Sequence, residues 1–193
     1  FEREDILRLA DGFDGMLVVD EAYIDFSSVE SVKSEVVSRR NIIVLQTLSK
    51  AWGMAGLRVG LALADERVVE LMSQVKYPYN INVATMAIVE ELLTQGIGEH
   101  IAEICSERER VAAALGTMRV VRHIYPSDAN FLLVRFDDAD GVYDYLIQRG
   151  IIVRNRNRVK GCEGCLRITI GLKEENEKLI KSLMQYEEES IVR

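Results

Sequence analysis

The chain has 193 residues, of which 48% are hydrophobic, and a formal net charge of −7. That length gives room for one large domain or two small ones, and that apolar content removes the disordered class. The acidic balance disfavours nonspecific nucleic-acid or anionic-membrane binding, and no apolar run approaches the ~20 residues that a bilayer span needs.

The opening FEREDILRLADG is charged throughout and fits neither a signal nor a transit peptide, so a cytoplasmic location is expected. A mature chain rarely starts with phenylalanine, and further sequence is expected upstream. Residues 16–19 form an apolar run without alternation, as in a central strand covered on both faces, and the run ends at Asp20. SVESVKSEVVSRR reads as a polar helical or loop connection. Residues 42–46 give the next strand, and residues 59–64 a third after a glycine-rich turn. Asp65 is placed to cap a helix over ERVVELMSQV, because its carboxylate can accept from the orphan amides of the first turn. Pro78 breaks the chain. Helices are predicted over residues 83–93 and 99–115, the second half exposed by its charge pattern.

The character then changes. MRVVRHIYPSDANFLLVRF offers two strands about a turn at Pro126, DADGVYDYLIQRG a capped helix ending at Gly150, IIVR and CLRITIG two more strands, and KEENEKLIKSLMQYEEE a terminal helix. The fold class is therefore α/β followed by a separate α+β lobe, with the boundary near Gly96 to Gly98, dividing the chain into residues 1–97 and 98–193.

The chemistry concentrates in TLSKAWGMAGLRVG. Lys50 follows Thr47 and Ser49 and precedes Gly53, Gly56, Arg58 and Gly60. A lysine amine is protonated at neutral pH and needs desolvation or a neighbouring cation to act as a nucleophile. Arg58 can supply that cation and clamp a phosphate with its planar fork. The hydroxyls of Thr47 and Ser49 and the unshielded glycine amides add donors. The set suits a phosphorylated aldehyde. Asp20 ends an apolar strand at the carboxyl edge where open α/β sheets bind ligands, and Tyr23 adds a phenol three residues on. A nucleotide-binding P-loop is ruled out because its glycines must precede the lysine, whereas here they follow it. Spacing alone leaves a structural lysine as open as a reactive one, and leaves Asp20 a loop carboxylate or helix cap.

Cysteine usage is uninformative. Cys105 reads as a small buried hydrophobe, and Cys162 with Cys165 as incidental thiols, because no second ligand pair accompanies that lone C-x-x-C; no metal site is expected.

VVDEAYIDF followed by TLSKAWGMAGLRVG resembles the fold-type I pyridoxal-phosphate aminotransferases, and within them the histidinol-phosphate aminotransferases. The likeness continues in order through YPYNIN, SDANFLLVRF, GIIVRNRN and GCLRITIG. It implies a partial cofactor-binding large domain over residues 1–97 and a small C-terminal α+β domain over 98–193. It implies that Lys50 is the Schiff-base lysine and proton shuttle, that Asp20 partners the pyridine nitrogen, and that Tyr23 hydrogen-bonds the ring's phenolic oxygen. Thr47, Ser49 and Arg58 are implied to grip the cofactor phosphate, Arg167 the substrate carboxylate, and Arg154 the phosphate of histidinol phosphate. Asn130 reads as a turn residue more than a site neighbour.

The implied reaction is transamination of L-histidinol phosphate with 2-oxoglutarate, giving imidazole acetol phosphate and glutamate, in a cytoplasmic homodimer. Related enzymes with the same machinery, a threonine-phosphate decarboxylase or an aromatic-amino-acid aminotransferase, are the alternatives. From another class, a non-catalytic dimerisation domain that kept the fold is a further alternative, against which the intact Lys50, Asp20, Tyr23 and Arg58 argue. The family's subunit-reaching arm, glycine–serine phosphate loop, ring-stacking aromatic and N-N-P-T-G segment have no counterpart in this sequence. The chain alone is therefore expected to hold the cofactor weakly and to be inactive.

Overall fold

A computed structural model describes residues 1–191, with the side chain of residue 191 left aside. The backbone forms two compact units, Phe1–Gly98 and a second beginning at Glu99.

The first unit contains helix α1 (Arg3–Gly12) and strands β1 (Leu17–Asp20), β2 (Ile42–Thr47) and β3 (Gly60–Leu63), in the sheet order β1-β2-β3. Strand β1 runs parallel to β2 and pairs Asp20 with Leu45, whereas β3 runs antiparallel and pairs Gly60 with Thr47. Alternation decides what each strand buries. Leu17 and Val19 of β1, Ile42 and Val44 of β2 and Leu63 of β3 pack with Val32 and Val36 and with Ile6, Leu7 and Ala10 of α1. Side chains between them face the other way, and Val18 remains 53% exposed. The continuous apolar run read as a strand covered on both faces is thus buried on one face only in this chain. Strand and helix are stapled by Asn41, whose Nδ2 donates to the Ala10 carbonyl at 2.7 Å. Arg39 reaches Asp11 at 2.8 Å and also pairs with Glu35, which Arg3 joins.

Helices α2 (Glu66–Val75) and α3 (Val83–Leu93) begin where the sequence pattern places them. The Asp65 carboxylate accepts from Arg67 N at 3.1 Å, and Asn82 Oδ1 from Thr85 N at 2.8 Å. The segment between β1 and β2 resolves into short 3-10 stretches at Ile24–Phe26 and Val32–Val37. Helix α1 had no sequence-level expectation. Its apolar positions Ile6, Leu7 and Ala10 lie at helical spacing but are few among charges.

The second unit holds α4 (Gly98–Gly116), β4 (Val121–Ile124), β5 (Phe131–Phe136), α5 (Ala139–Gln148), β6 (Arg154–Asn155), β7 (Cys165–Thr169) and α6 (Lys173–Ile191). The antiparallel sheet has the order β4-β5-β7-β6. Leu132, Val134 and Phe136 of β5 and Leu166 and Ile168 of β7 point into one core with Val111 and Leu115 of α4, Val142 and Leu146 of α5, and Leu179 and Leu183 of α6. This is the larger of the two units' continuous cores, and each such side chain contributes about 1.5–3 kcal/mol on full burial. The strand expected over IIVR is shorter than its pattern suggested, and only Arg154 and Asn155 pair, with Arg167 and Leu166. Val153 instead turns into the core.

A partly buried polar knot ties the unit together. Arg110 donates twice to Glu107, at 2.8 and 2.7 Å, and Asn176 Nδ2 donates to the same carboxylate at 2.8 Å. Asn176 also holds Gly171, accepting from its amide and donating to its carbonyl, both at 3.0 Å. The Arg110 hydrogen bonds first, and the Asn176 hydrogen bond second, lower the Glu107 pKa to about 2.

Candidate active site

Because β1 and β2 are parallel, their carboxyl ends lie at the same edge of the first unit's sheet. Asp20 closes β1 and is exposed; its Oδ1 accepts from Ala22 N at 3.0 Å, turning the chain towards Tyr23. Thr47 closes β2 and opens the loop that carries Lys50.

That loop is braced from within. Leu48 N donates to the Val59 carbonyl at 3.2 Å, Met54 N to the Leu48 carbonyl at 2.9 Å, and Gly53 N to the Lys50 carbonyl at 3.1 Å. Beneath it Leu48, Met54 and Val59 are buried against Trp52, Leu57, Val89 and Leu92, a small core belonging to the loop and α3. Thr47 Oγ1 donates to the Val59 carbonyl at 3.3 Å and accepts from Ser49 N at 3.1 Å, so the hydroxyl shapes the turn on which Ser49 and Lys50 sit. Gly53 takes φ +66°, with nothing within 4 Å of where a Cβ would stand.

Lys50 is exposed, and its Nζ lies 5.2 Å from the centroid of the half-buried Tyr23 ring. Two residues 27 positions apart by their numbers thereby meet across the strand-end edge. Arg58 follows the 3-10 stretch Ala55–Leu57 in the left-handed region, φ 57° and ψ 39°, with its Nη1 donating to the Ala55 carbonyl at 3.2 Å. It is the only non-glycine residue with positive φ among the described residues. Such a conformation costs an L-residue roughly 1–2 kcal/mol, and strain of this kind gathers at ligand-holding turns. An amine, a guanidinium, two hydroxyls and a carboxylate thus stand on adjoining strand ends, and this donor set suits a phosphorylated aromatic aldehyde.

A carboxylate beside Asp20 escaped the sequence reading. Glu21 is 7% exposed and accepts hydrogen bonds from Ser31, Val32 and Gln46. Strand alternation carried one residue past Asp20 would have pointed it inward.

In the second unit Arg167 sits on β7 with Leu133 opposite on β5 and Arg154 opposite on β6. Its guanidinium carbon lies 5.0 Å from the Phe131 ring centroid, and its Nε is buried without a hydrogen bond within the chain. Two cations set directly opposite repel unless an anion lies between them. Arg154 itself is exposed. Asn130 acts through its backbone: its carbonyl accepts from Ile170 N at 2.9 Å, extending the sheet past the turn. Cys162 and Cys165 are free thiols, and among the described residues no group of three or more histidine, cysteine or acidic side chains could hold a metal ion. No helix among them is long and apolar enough to cross a membrane.

The family model described as aminotransferase class I and II matches residues 2–183. The chain belongs to that family. The histidinol-phosphate aminotransferase of Parabacteroides distasonis is 44% identical over 184 residues, which cover 94% of this chain and 53% of that protein. The chain spans about half the length of the curated relatives it matches. Among solved structures, the histidinol-phosphate aminotransferase of Clostridium acetobutylicum superposes with a TM-score of 0.85 at 24% identity, covering 96% of this chain and 58% of that one. The Sinorhizobium meliloti histidinol-phosphate aminotransferase, solved in complex with pyridoxal 5′-phosphate, gives 0.78 at 23% identity, covering 95% and 52%. At these identities the structures establish a shared aminotransferase fold. The α/β architecture with a small α+β lobe is that of the family.

Proposed function

We propose that this chain carries the lysine-bearing portion of a pyridoxal-phosphate-dependent aminotransferase that exchanges the amino group of L-histidinol phosphate with 2-oxoglutarate, yielding imidazole acetol phosphate and glutamate. One observation carries the reading: the Lys50 amine stands 5.2 Å from the Tyr23 ring, on a strand-end edge shared with Asp20, Thr47, Ser49 and Arg58. The 44% identity to a histidinol-phosphate aminotransferase supports the choice of substrate.

When bound, pyridoxal phosphate supplies an electron sink for the charge left on a substrate carbon that loses its proton. The residues divide the remaining work. Lys50 would hold the cofactor at its aldehyde carbon, and its freed amine would carry the proton from the substrate Cα to that carbon. The Asp20 carboxylate accepts from the protonated ring nitrogen and keeps it protonated. The Tyr23 hydroxyl donates to the ring oxygen. Thr47, Ser49 and Arg58 bind the cofactor phosphate, the guanidinium through paired N–H donors. Arg167 holds the substrate carboxylate, or in histidinol phosphate turnover the corresponding end of the second substrate, 2-oxoglutarate. Arg154 meets the substrate phosphate. The opposed pair Arg154 and Arg167 supports a substrate set that brings anions to this strip. Residues 1–97 belong to the cofactor domain and 98–193 to the small domain, and the whole protein works as a cytoplasmic homodimer.

Reductive trapping tests the reading. Incubation with pyridoxal phosphate followed by borohydride and peptide mass spectrometry is expected to label Lys50 ahead of the other lysines, and Lys50→Ala to abolish that label. Labelling spread evenly over all lysines would overturn it. Product analysis of the full-length protein separates the reactions: glutamate formed from 2-oxoglutarate marks transamination, and released CO₂ a decarboxylase.

A further inference from the structure

The proposed roles leave unused the most deeply buried acidic side chain of the first unit. Glu21 follows Asp20 directly but points inward. Val32 N donates to its Oε1 at 2.8 Å; Gln46 Nε2 donates to Oε2 at 2.8 Å, and Ser31 Oγ to the same oxygen at 2.5 Å. Ser31 Oγ in turn accepts from Lys33 N at 3.1 Å, which leaves its own proton for Glu21. Both carboxylate oxygens therefore accept hydrogen bonds within the chain. The backbone joins in, with Glu21 N donating to the Leu45 carbonyl at 2.8 Å and Ile24 N to the Glu21 carbonyl at 3.1 Å.

Its side-chain partners, Ser31 and Gln46, are neutral, so the burial gains no ion pair to offset the loss of hydration. What the network fixes is spacing. Glu21 adjoins Asp20 and lies two residues before Tyr23, and Gln46 adjoins Thr47 and lies four residues before Lys50. The Glu21–Gln46 bond thus ties the turn bearing the ring-nitrogen partner to the loop bearing the amine, with Ser31 and Val32 clamping the carboxylate from the third side.

We propose that Glu21 is a positioning residue of the cofactor site, holding the Asp20–Tyr23 turn and the Thr47–Lys50 loop at the separation one ligand can span. The proposal rests on the cofactor reading above, and its test keeps the two apart. Glu21→Met removes the acceptor while preserving bulk; Glu21→Gln restores a neutral acceptor, with the Gln46 amide free to turn and meet it. With pyridoxal phosphate and borohydride, the Met variant is expected to label Lys50 between about tenfold and a hundredfold less, a hundredfold being the cost a 1 Å misplacement can reach, and the Gln variant to recover most of it. Amide hydrogen exchange on the same proteins without cofactor is expected to show faster exchange in the Met variant at residues 20–23 and 47–50, with Ile42–Val44 unchanged.

A folded Met variant that labels Lys50 as the parent does, or whose exchange changes only near residues 31–33, overturns the role of Glu21. If the parent chain itself fails to label Lys50, the cofactor reading of the chain falls. The exchange pattern then still decides whether Glu21 holds the two loops.

Discussion

Arg154 and Arg167 are register partners across β6 and β7, two cations directly opposite on neighbouring strands, and the Arg167 Nε is buried without a hydrogen bond within the chain. Opposed like charges destabilise a ladder by some tenths of a kcal/mol, so an anion bound between them is expected to relieve the repulsion. Arg154→Ala is expected to leave the unliganded chain as stable or more stable by about 0.2–1 kcal/mol. It should also diminish the rise in melting temperature that inorganic phosphate gives. Equal phosphate stabilisation of the parent and of Arg154→Ala would remove the anion strip from the account.

Glu107 is expected to make the second unit acid-sensitive. Its pKa is lowered from 4.5 to about 2, by Arg110 first and Asn176 second. A depressed carboxylate pKa contributes stability that is fully present above the unfolded value and is lost as pH falls through the folded one. Urea denaturation is therefore expected to show this contribution intact at pH 6 and fading between about 4.5 and 2. Glu107→Gln should weaken the unit at neutral pH by about 1.5–3 kcal/mol, the range for hydrogen bonds to charged groups, and flatten this part of the acid dependence. An unchanged acid profile in that variant would assign the sensitivity elsewhere.

The left-handed backbone at Arg58 separates stability from binding. Arg58→Gly relieves a cost of roughly 1–2 kcal/mol in the folded chain but adds roughly 0.5–1 kcal/mol of unfolded-state entropy, for an expected net gain of about 0.5 kcal/mol. The same variant should lose cofactor-phosphate affinity, read as weaker labelling of Lys50 at limiting pyridoxal phosphate. A variant that is destabilised, yet labels normally, would make Arg58 a structural residue only.

Leu166 is fully buried between β5 and β6 and lies one position before Arg167. Leu166→Ala is expected to cost about 2–5 kcal/mol in denaturant unfolding, because the core around it packs from three helices and cannot collapse onto the space. A cost below about 1 kcal/mol would mean that the core relaxes around the gap.

Most elements were legible because the signals that define them are local. The cap at Asp65 precedes the apolar periodicity of α2, apolar spacing after Pro78 marks α3, and glycines follow Lys50 within a few residues, so these elements could be read directly. Helix α1 and the short pairing of β6 could not. Charges dilute the apolar stripe of α1, while the apolar run before Arg154 looks like a strand but meets β7 only at Arg154 and Asn155.

What the chain's residues determined by themselves was the chemistry within one loop: a lysine, two hydroxyls and an arginine around glycines, spaced within a dozen positions. Tertiary structure decided what those groups meet. The antiparallel course of β3, the approach of Lys50 to Tyr23, the opposition of Arg154 and Arg167, and the burial of Glu21 all depend on which strand lies beside which. Strand pairing joins residues far apart in the chain, and the register that brings them together is set by cores assembled from every element of a unit rather than by neighbouring residues.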